Sequence, residues 1–355
     1  MHSPTHQPAQ RRPQALLIAL SCGHHHFPGV AQALNARDWA TTTDTAQHHP
    51  PLTLSKDQLD HADLILHPDG VNHNATNLLI QTREASKPLV LLMDGVLEYA
   101  NTFLNPNAGP NFLRPAPGNL VLASGAHDTK VLQALGNHAI ATGLPRLAEF
   151  ARCFKAKPTE PQSTTILIAT ANQPAFTPES KARLLATLDK IKAAAARRSI
   201  TLRWRIADEL AAELKITNDP RGLAESIASS DAVLTTASTL AIESMIADRP
   251  TAIIHPHPWP LWIPAAWIYQ PQTSQSIDHT LAVNTHAANT AAAESIAQIT
   301  QSTPSHHTVN LDSLLDSLLA PDPSLLALQS RILEHTHHAD APARVASAII
   351  EHHNA

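Results

Sequence analysis

The chain has 355 residues, 43% of them hydrophobic, and a formal net charge of −5. That apolar content suffices for two cores of ordinary domain size, and the absence of a basic run interleaved with aromatics excludes a general nucleic-acid binder. Cys22 and Cys153 are the only cysteines, which excludes a disulfide framework and fits a reducing cytoplasm.

Residues 1–13 are polar and carry prolines, and read as disordered. Ala15–Leu20 reads as a buried first strand. Arg11-Arg12 before it and Ser21-Cys22 after it imitate a signal peptide, but the apolar run falls short of the ~7–15 residues such a segment needs. No run approaches the ~20 residues of a membrane span, so membrane contact is expected only at the periphery. A loop containing Gly23 and the triplet His24-His25-His26 follows, then a helix through Val30, Ala33 and Leu34. The loop between a first strand and its helix is the usual ligand edge of a doubly wound sheet.

Ala62–Leu66 reads as the next strand. The apolar run through Met93 is another and ends in Asp94-Gly95-Val96-Leu97-Glu98, which puts two carboxylates at the rim of a parallel sheet. Either Asp94 or Glu98 could act as a general base there. Asn101–Asn119, rich in Asn and Pro, reads as a long loop over the cleft. Leu120–Ala123 and Ala139–Ala141 complete the set, followed by Thr142-Gly143-Leu144-Pro145-Arg146. The polar, proline-rich segment 155–163 reads as a linker. It separates a domain at 14–154 from a second at 164–330, with a closing helix at 331–355.

The second domain opens with the strand Thr165–Ala169, whose polar end places Asn172 at the rim of a ligand pocket. A helix over Pro178–Arg198 and a strand over Ile200–Trp204 follow; Arg203 or Arg205 at that strand's end is a candidate phosphate ligand. The clearest unit is Ser229–His255. Strands Ala232–Leu234 and Thr251–Ile254 bracket a helix through Leu240, Ile242, Met245 and Ile246. Ser238 or Thr239 is placed to cap its first turn, an end suited to phosphate, and Glu243 lies on the same face as Thr239. The helix stops near Asp248-Arg249-Pro250, where Asp248 suits a left-handed turn position. Trp259, Trp262, Trp267 and Tyr269 read as packing, and a further helix is expected near Ala292–Ile299. The 23 histidines lack the spacing of a structural zinc site and read as compositional bias, so no metal ligands are assigned.

The Ser229–His255 pattern resembles the donor-domain signature of GT-B-type glycosyltransferases and related polysaccharide enzymes, approximately "aDxxxtxxSTxxxEaxxxgkPxi". Asp231, Ser238, Thr239, Glu243 and Pro250 fall in place. The resemblance implies that Ser238 and Thr239 meet the donor diphosphate and Glu243 the ribose hydroxyls. The first loop resembles the "GGTGGHxxPxxA" loop of the lipid-intermediate N-acetylglucosaminyltransferase of peptidoglycan synthesis, aligning His25 with that family's histidine as a base or acceptor ligand. "DGxxE" turns like the one at Asp94 also occur in capsule and surface-polysaccharide transferases. The order through Thr142-Gly143-Leu144-Pro145-Arg146 resembles the end of the acceptor domain in these relatives, which implies an interdomain hinge there. Three departures stand out: one glycine survives in the first loop, Asp248-Arg249 stands where the family has a Gly and a Lys or Arg, and Arg205-Ile206-Ala207 replaces the usual basic residue and His-Pro.

The expected fold is α/β, two Rossmann-like domains facing across a cleft, GT-B-like. The expected activity is transfer of a glycosyl group from a nucleotide-activated donor to a glycan or lipid-linked acceptor of the cell envelope. It would proceed without an obligatory metal or other cofactor, in the cytoplasm or at the inner face of the membrane. A nucleotide-sugar 2-epimerase, a CDP-glycerol-type polyol-phosphate transferase and a catalytically idle GT-B-like scaffold are the alternatives.

Overall fold

The computed structural model describes residues 11–19, 23–44, 53–68, 73–105, 113, 116, 118–153, 164–259, 261–271, 306–308, 310–334, 336 and 338–355. Of the disorder expected at 1–13, residues 1–10 lie outside these residues, as do the linker at 155–163 and the helix at 292–299, while 11–13 are held in place: Arg11 pairs with Asp63 at 3.1 Å and the Pro13 carbonyl accepts the Ala40 N–H.

Among the described residues, twelve strands form two six-stranded sheets. The first contains β1 (Gln14–Ile18), β2 (Ala40–Asp44), β3 (Leu64–Pro68), β4 (Leu89–Leu92), β5 (Leu120–Ala123) and β6 (Ala139–Ala141), in the order β2-β1-β3-β4-β5-β6. The second contains β7 (Thr165–Ala169), β8 (Thr201–Arg205), β9 (Ala232–Thr235), β10 (Thr251–Ile254), β11 (Trp267–Tyr269) and β12 (His306–Thr308), in the order β12-β11-β10-β9-β7-β8. Every pairing is parallel. Helices cover both faces of such sheets, so the central strands read as continuous apolar runs. Leu89–Leu92 and Ile166–Ala169 are indeed completely buried.

Three strands were not legible. β2 reads Ala-Thr-Thr-Thr-Asp and lies half-exposed at a sheet edge, where β-branched threonines form a strand without an apolar signal. β11 and β12 have three residues each. The loop expected from Asn101 begins instead inside a short helix, Tyr99–Phe103, capped by the Glu98 side chain; residues 106–112 lie outside the described part.

One apolar cluster runs through both domains. Leu97, Tyr99 and Leu144 of the first pack with Ala241, Ile242, Met245, Trp262 and Ile263 of the second. Trp262 is buried and meets Tyr99 edge-on, with ring centroids 5.5 Å apart. Trp267 and Tyr269 are buried as expected from packing, whereas Trp259 turns to the cleft.

The last helix, Ala341–Asn354, returns to the first sheet. Its Val345, Ala346, Ala348 and Ile349 complete the cluster formed by Leu17, Phe27, Val30, Leu34 and Val90. Arg344 donates to the Ala141 carbonyl at 3.1 Å, and Gly29 packs so closely that an added Cβ would stand 3.0 Å from Pro342 Cγ. Among the described residues, no helix is long and apolar enough to cross a membrane.

Candidate active site

A cavity of about 530 Å³ opens where the carboxyl ends of the two sheets face each other. The first domain contributes the segment from Met93 to Thr102. The second contributes the turns after β7, β9 and β10, including Asn172, Ser238, Thr239, His257 and Trp259.

On the first-domain side, β4 ends in the Asp94–Glu98 loop, and both of its carboxylates line the cavity. Their surroundings drive them apart. Burial would raise Asp94, but the hydrogen bond from His26, with the positive fields of His26 and Arg146, outweighs it and holds the carboxyl below its ordinary range. Among the described residues, Glu98 has no cationic partner. Burial pushes it up to about 7 even though it accepts the Asn101 N–H at 2.8 Å. Opposed shifts of this kind separate a group that stays ionised from one that exchanges protons near neutral pH.

Two buried groups hold this loop. His26 is fully buried, and its Nε2 lies 3.1 Å from Asp94 Oδ1. Burial lowers the imidazole below its ordinary range despite the carboxylate, and its Nδ1 has no hydrogen-bond partner among the described residues. Asp128, 3% exposed, accepts the Ser124 hydroxyl and the Leu97 N–H, the latter at 3.0 Å. Burial raises its carboxyl to about 6.

On the second-domain side, Thr236 Oγ1 accepts the Ala171 N–H at 2.9 Å and ties the turn after β7 to the turn after β9. This fixes Asn172 beside Ser238 and Thr239. Thr239 precedes the helix Leu240–Ile246, but its hydroxyl makes no cap bond. Thr239 Oγ1 instead accepts the Val96 N–H from the other domain at 3.1 Å. Asp248 takes the left-handed conformation anticipated for it, at φ 57°. His257 stacks on Trp259 with ring centroids 4.0 Å apart. Burial, with His255 and Arg183 nearby, pushes His257 down to about 3.

The structure brings Asp94, Glu98, Asn172, Ser238 and Thr239 together around one cavity and leaves four other candidates, His25, Arg203, Arg205 and Glu243, off its lining. His25 is exposed; its neighbour His26 reaches Asp94. Arg205 turns away at the edge of the second sheet, donating to the carbonyls of Asp219 and Arg221, and Arg203 pairs with Asp219 at 3.3 Å. Glu243 is buried against Arg146 of the first domain. Sequence reasoning missed His26, Arg146 and Asp128. Arg146 stands in the Thr-Gly-Leu-Pro-Arg turn, which signalled a hinge but no ion pair. Among the described residues, no group of three or more His, Cys, Asp or Glu is placed to hold a metal ion.

Two Rossmann-like domains with a cleft between the carboxyl ends of their sheets define the GT-B architecture. Solved structures agree at the level of fold. The UDP-GlcNAc 2-epimerase of Methanocaldococcus jannaschii, in complex with UDP-GlcNAc and UDP, matches with a TM-score of 0.52 at 9% identity, covering 96% of this chain and 99% of that one. The H548A variant of the wall teichoic acid polymerase TagF matches with a TM-score of 0.53 at 10% identity, covering 97% of this chain and 90% of that one. No family model matches the sequence, and no curated protein matches it.

Proposed function

We propose that the chain is a transferase that moves a glycosyl group from a nucleotide-activated donor to a glycan or lipid-linked acceptor of the cell envelope. The observation that carries this reading is the shared cavity. Two carboxylates with separated proton affinities face a hydroxyl-bearing turn from the opposite domain. The structural neighbours support a nucleotide-linked substrate: the epimerase was solved with UDP-GlcNAc and UDP, and a TagF variant after soaking with CDPG.

In this reading Ser238 and Thr239 bind the donor diphosphate, Asn172 flanks it, and Glu243 accepts hydroxyls of the ribose. Glu98 is the general base. It takes the proton of the acceptor hydroxyl as that oxygen bonds to the anomeric carbon, and the bond from that carbon to the diphosphate breaks, its electron pair leaving with the nucleotide. Asp94, kept ionised by His26, favours the positive charge that develops at the anomeric carbon. His25 and Arg205 have no step in this scheme. The chemistry calls for no cofactor.

The test is thermal unfolding against UDP, CDP, GDP, ADP, dTDP and CMP conjugates. A ligand at 100 times its dissociation constant adds about 2.7 kcal/mol, roughly a 3–4 °C shift for a chain of this size. Absence of any shift at millimolar ligand would remove the nucleotide from the proposal and favour an idle scaffold. A 2-epimerase is the second reading, favoured by the same pair of carboxylates, which suits removal and return of a proton. It would convert its nucleotide sugar without an acceptor, and product analysis separates the two. A cytidine-specific shift would favour the CDP-glycerol-type transferase.

A further inference from the structure

Two of the groups assigned above to the donor, Thr239 and Glu243, make contacts across the two domains. Thr239 Oγ1 accepts the Val96 N–H at 3.1 Å. Glu243, one turn further along the same helix and 4% exposed, is paired with Arg146. The guanidinium reaches back as well, its Nε donating to the Asp94 carbonyl at 3.2 Å. Between these contacts the backbone of Gly95 lies so close to Thr239 that an added Cβ would stand 2.5 Å from the hydroxyl oxygen. A continuous polar chain, His26–Asp94–Arg146–Glu243, therefore runs from the interior of the first domain into the helix of the second.

We infer that this seam is an autoinhibitory contact made with the donor site's own residues, and that a nucleoside diphosphate binds only by displacing it. Glu243 is 4% exposed and lies off the cavity lining, so a ribose diol reaches its carboxylate only when Arg146 and the loop bonded to it move aside, whereas the Thr239 hydroxyl accepts the Val96 N–H through its oxygen and keeps its O–H to donate to a phosphate. That movement frees the Asp94–Leu97 loop, because Arg146 is bonded to the Asp94 carbonyl. Donor binding and the placement of Glu98 are thereby one equilibrium. The inference rests on the donor reading of Thr239 and Glu243. An apparent dissociation constant is the intrinsic one divided by the fraction of open molecules. If about one molecule in ten is open, abolishing the seam tightens binding by up to about tenfold.

The experiment titrates the full chain with UDP, CDP, GDP, ADP and dTDP by calorimetry and measures its radius of gyration by small-angle scattering. Two variants weaken the seam differently. Arg146→Met removes the ion pair, and Gly95→Ala wedges a methyl group against Thr239 while leaving the ion pair's side chains intact. The expected result is a dissociation constant three- to tenfold lower in both variants, with an increased radius of gyration in the absence of nucleotide. Nucleotide binding confined to the variants would support the seam more strongly still. If the wild type binds a nucleotide and neither variant binds it more tightly, the seam is refuted while the donor site stands. Absence of binding in all three chains overturns both. Should Arg146→Met fail to fold because Glu243 is left buried and unpaired, Gly95→Ala decides alone.

Discussion

Glu98→Gln tests the pairing of opposed carboxylates most directly, because its effect reverses the usual expectation that removing a charge from a site is costly. Glu98 is pushed up from 4.5 to about 7 by burial. A carboxyl that is easier to protonate in the folded than in the unfolded chain gives stability that is complete below pH 4.5 and is lost as pH rises to about 7. Each tenfold change in proton affinity is worth about 1.4 kcal/mol, so full ionisation costs the fold up to about 3 kcal/mol. The cavity admits solvent, which screens the charge and brings the expected cost nearer to 1.5–3 kcal/mol. The substituted amide would carry no charge at any pH and still offer an oxygen to the Asn101 N–H. The assay is urea unfolding of both proteins at pH 5, 6, 7 and 8, followed by a signal from the first domain. The variant's advantage over the wild type should grow from pH 5 to pH 7 and level off from there to pH 8. A difference that stays constant across this range would refute the reasoning, and with it the assignment of Glu98 as the group that exchanges a proton.

His257 gives the opposite dependence. Its folded value of about 3 lies below the ordinary 6.5, so its contribution is complete above pH 6.5 and is lost as pH falls, at about 1.4 kcal/mol for each pH unit. Wild type should lose about 2 kcal/mol more than His257→Gln between pH 7 and pH 5, and parallel denaturation curves would contradict this. Asp128→Ala leaves the Ser124 hydroxyl and the Leu97 N–H without their acceptor, a loss of about 1–3 kcal/mol. Hydrogen exchange across residues 94–103 should quicken, and Asp128→Asn, which keeps an acceptor, should fall between the two; unchanged exchange in Asp128→Ala would show that this side chain does not hold the loop.

Much of this architecture was legible because buried parallel strands announce themselves as unbroken apolar runs. Leu89–Leu92 and Ala232–Thr235 end in polar turns, and the rule that ligand sites gather at those ends put Asp94, Glu98, Asn172, Ser238 and Thr239 on one cleft. What the sequence concealed depends on direction and on long range. In a run of three histidines nothing marks which ring points inward, and the short helical turn Gly23–His26 buries His26 and exposes His25. Arg205 looked like a phosphate ligand until the carbonyls of Asp219 and Arg221 claimed its guanidinium. The partner of Glu243 lies 97 residues away, beyond any local pattern. β2 was hidden because an edge strand of threonines has half its surface in water.

The return of the last helix to the first sheet means that this protein is not made in the order in which it is read. Phe27, Val30 and Leu34 have their complete packing only when Val345 and Ile349 arrive. The strands of the first sheet are all synthesised by Ala141. At about 5–20 residues per second a ribosome then needs roughly 10–40 s to reach the closing helix. During that interval the strands of the second sheet are also completed, while the first sheet, covered on that face by Phe27, Val30 and Leu34, still lacks Val345, Ala346 and Ile349. The domain that begins first is sealed last.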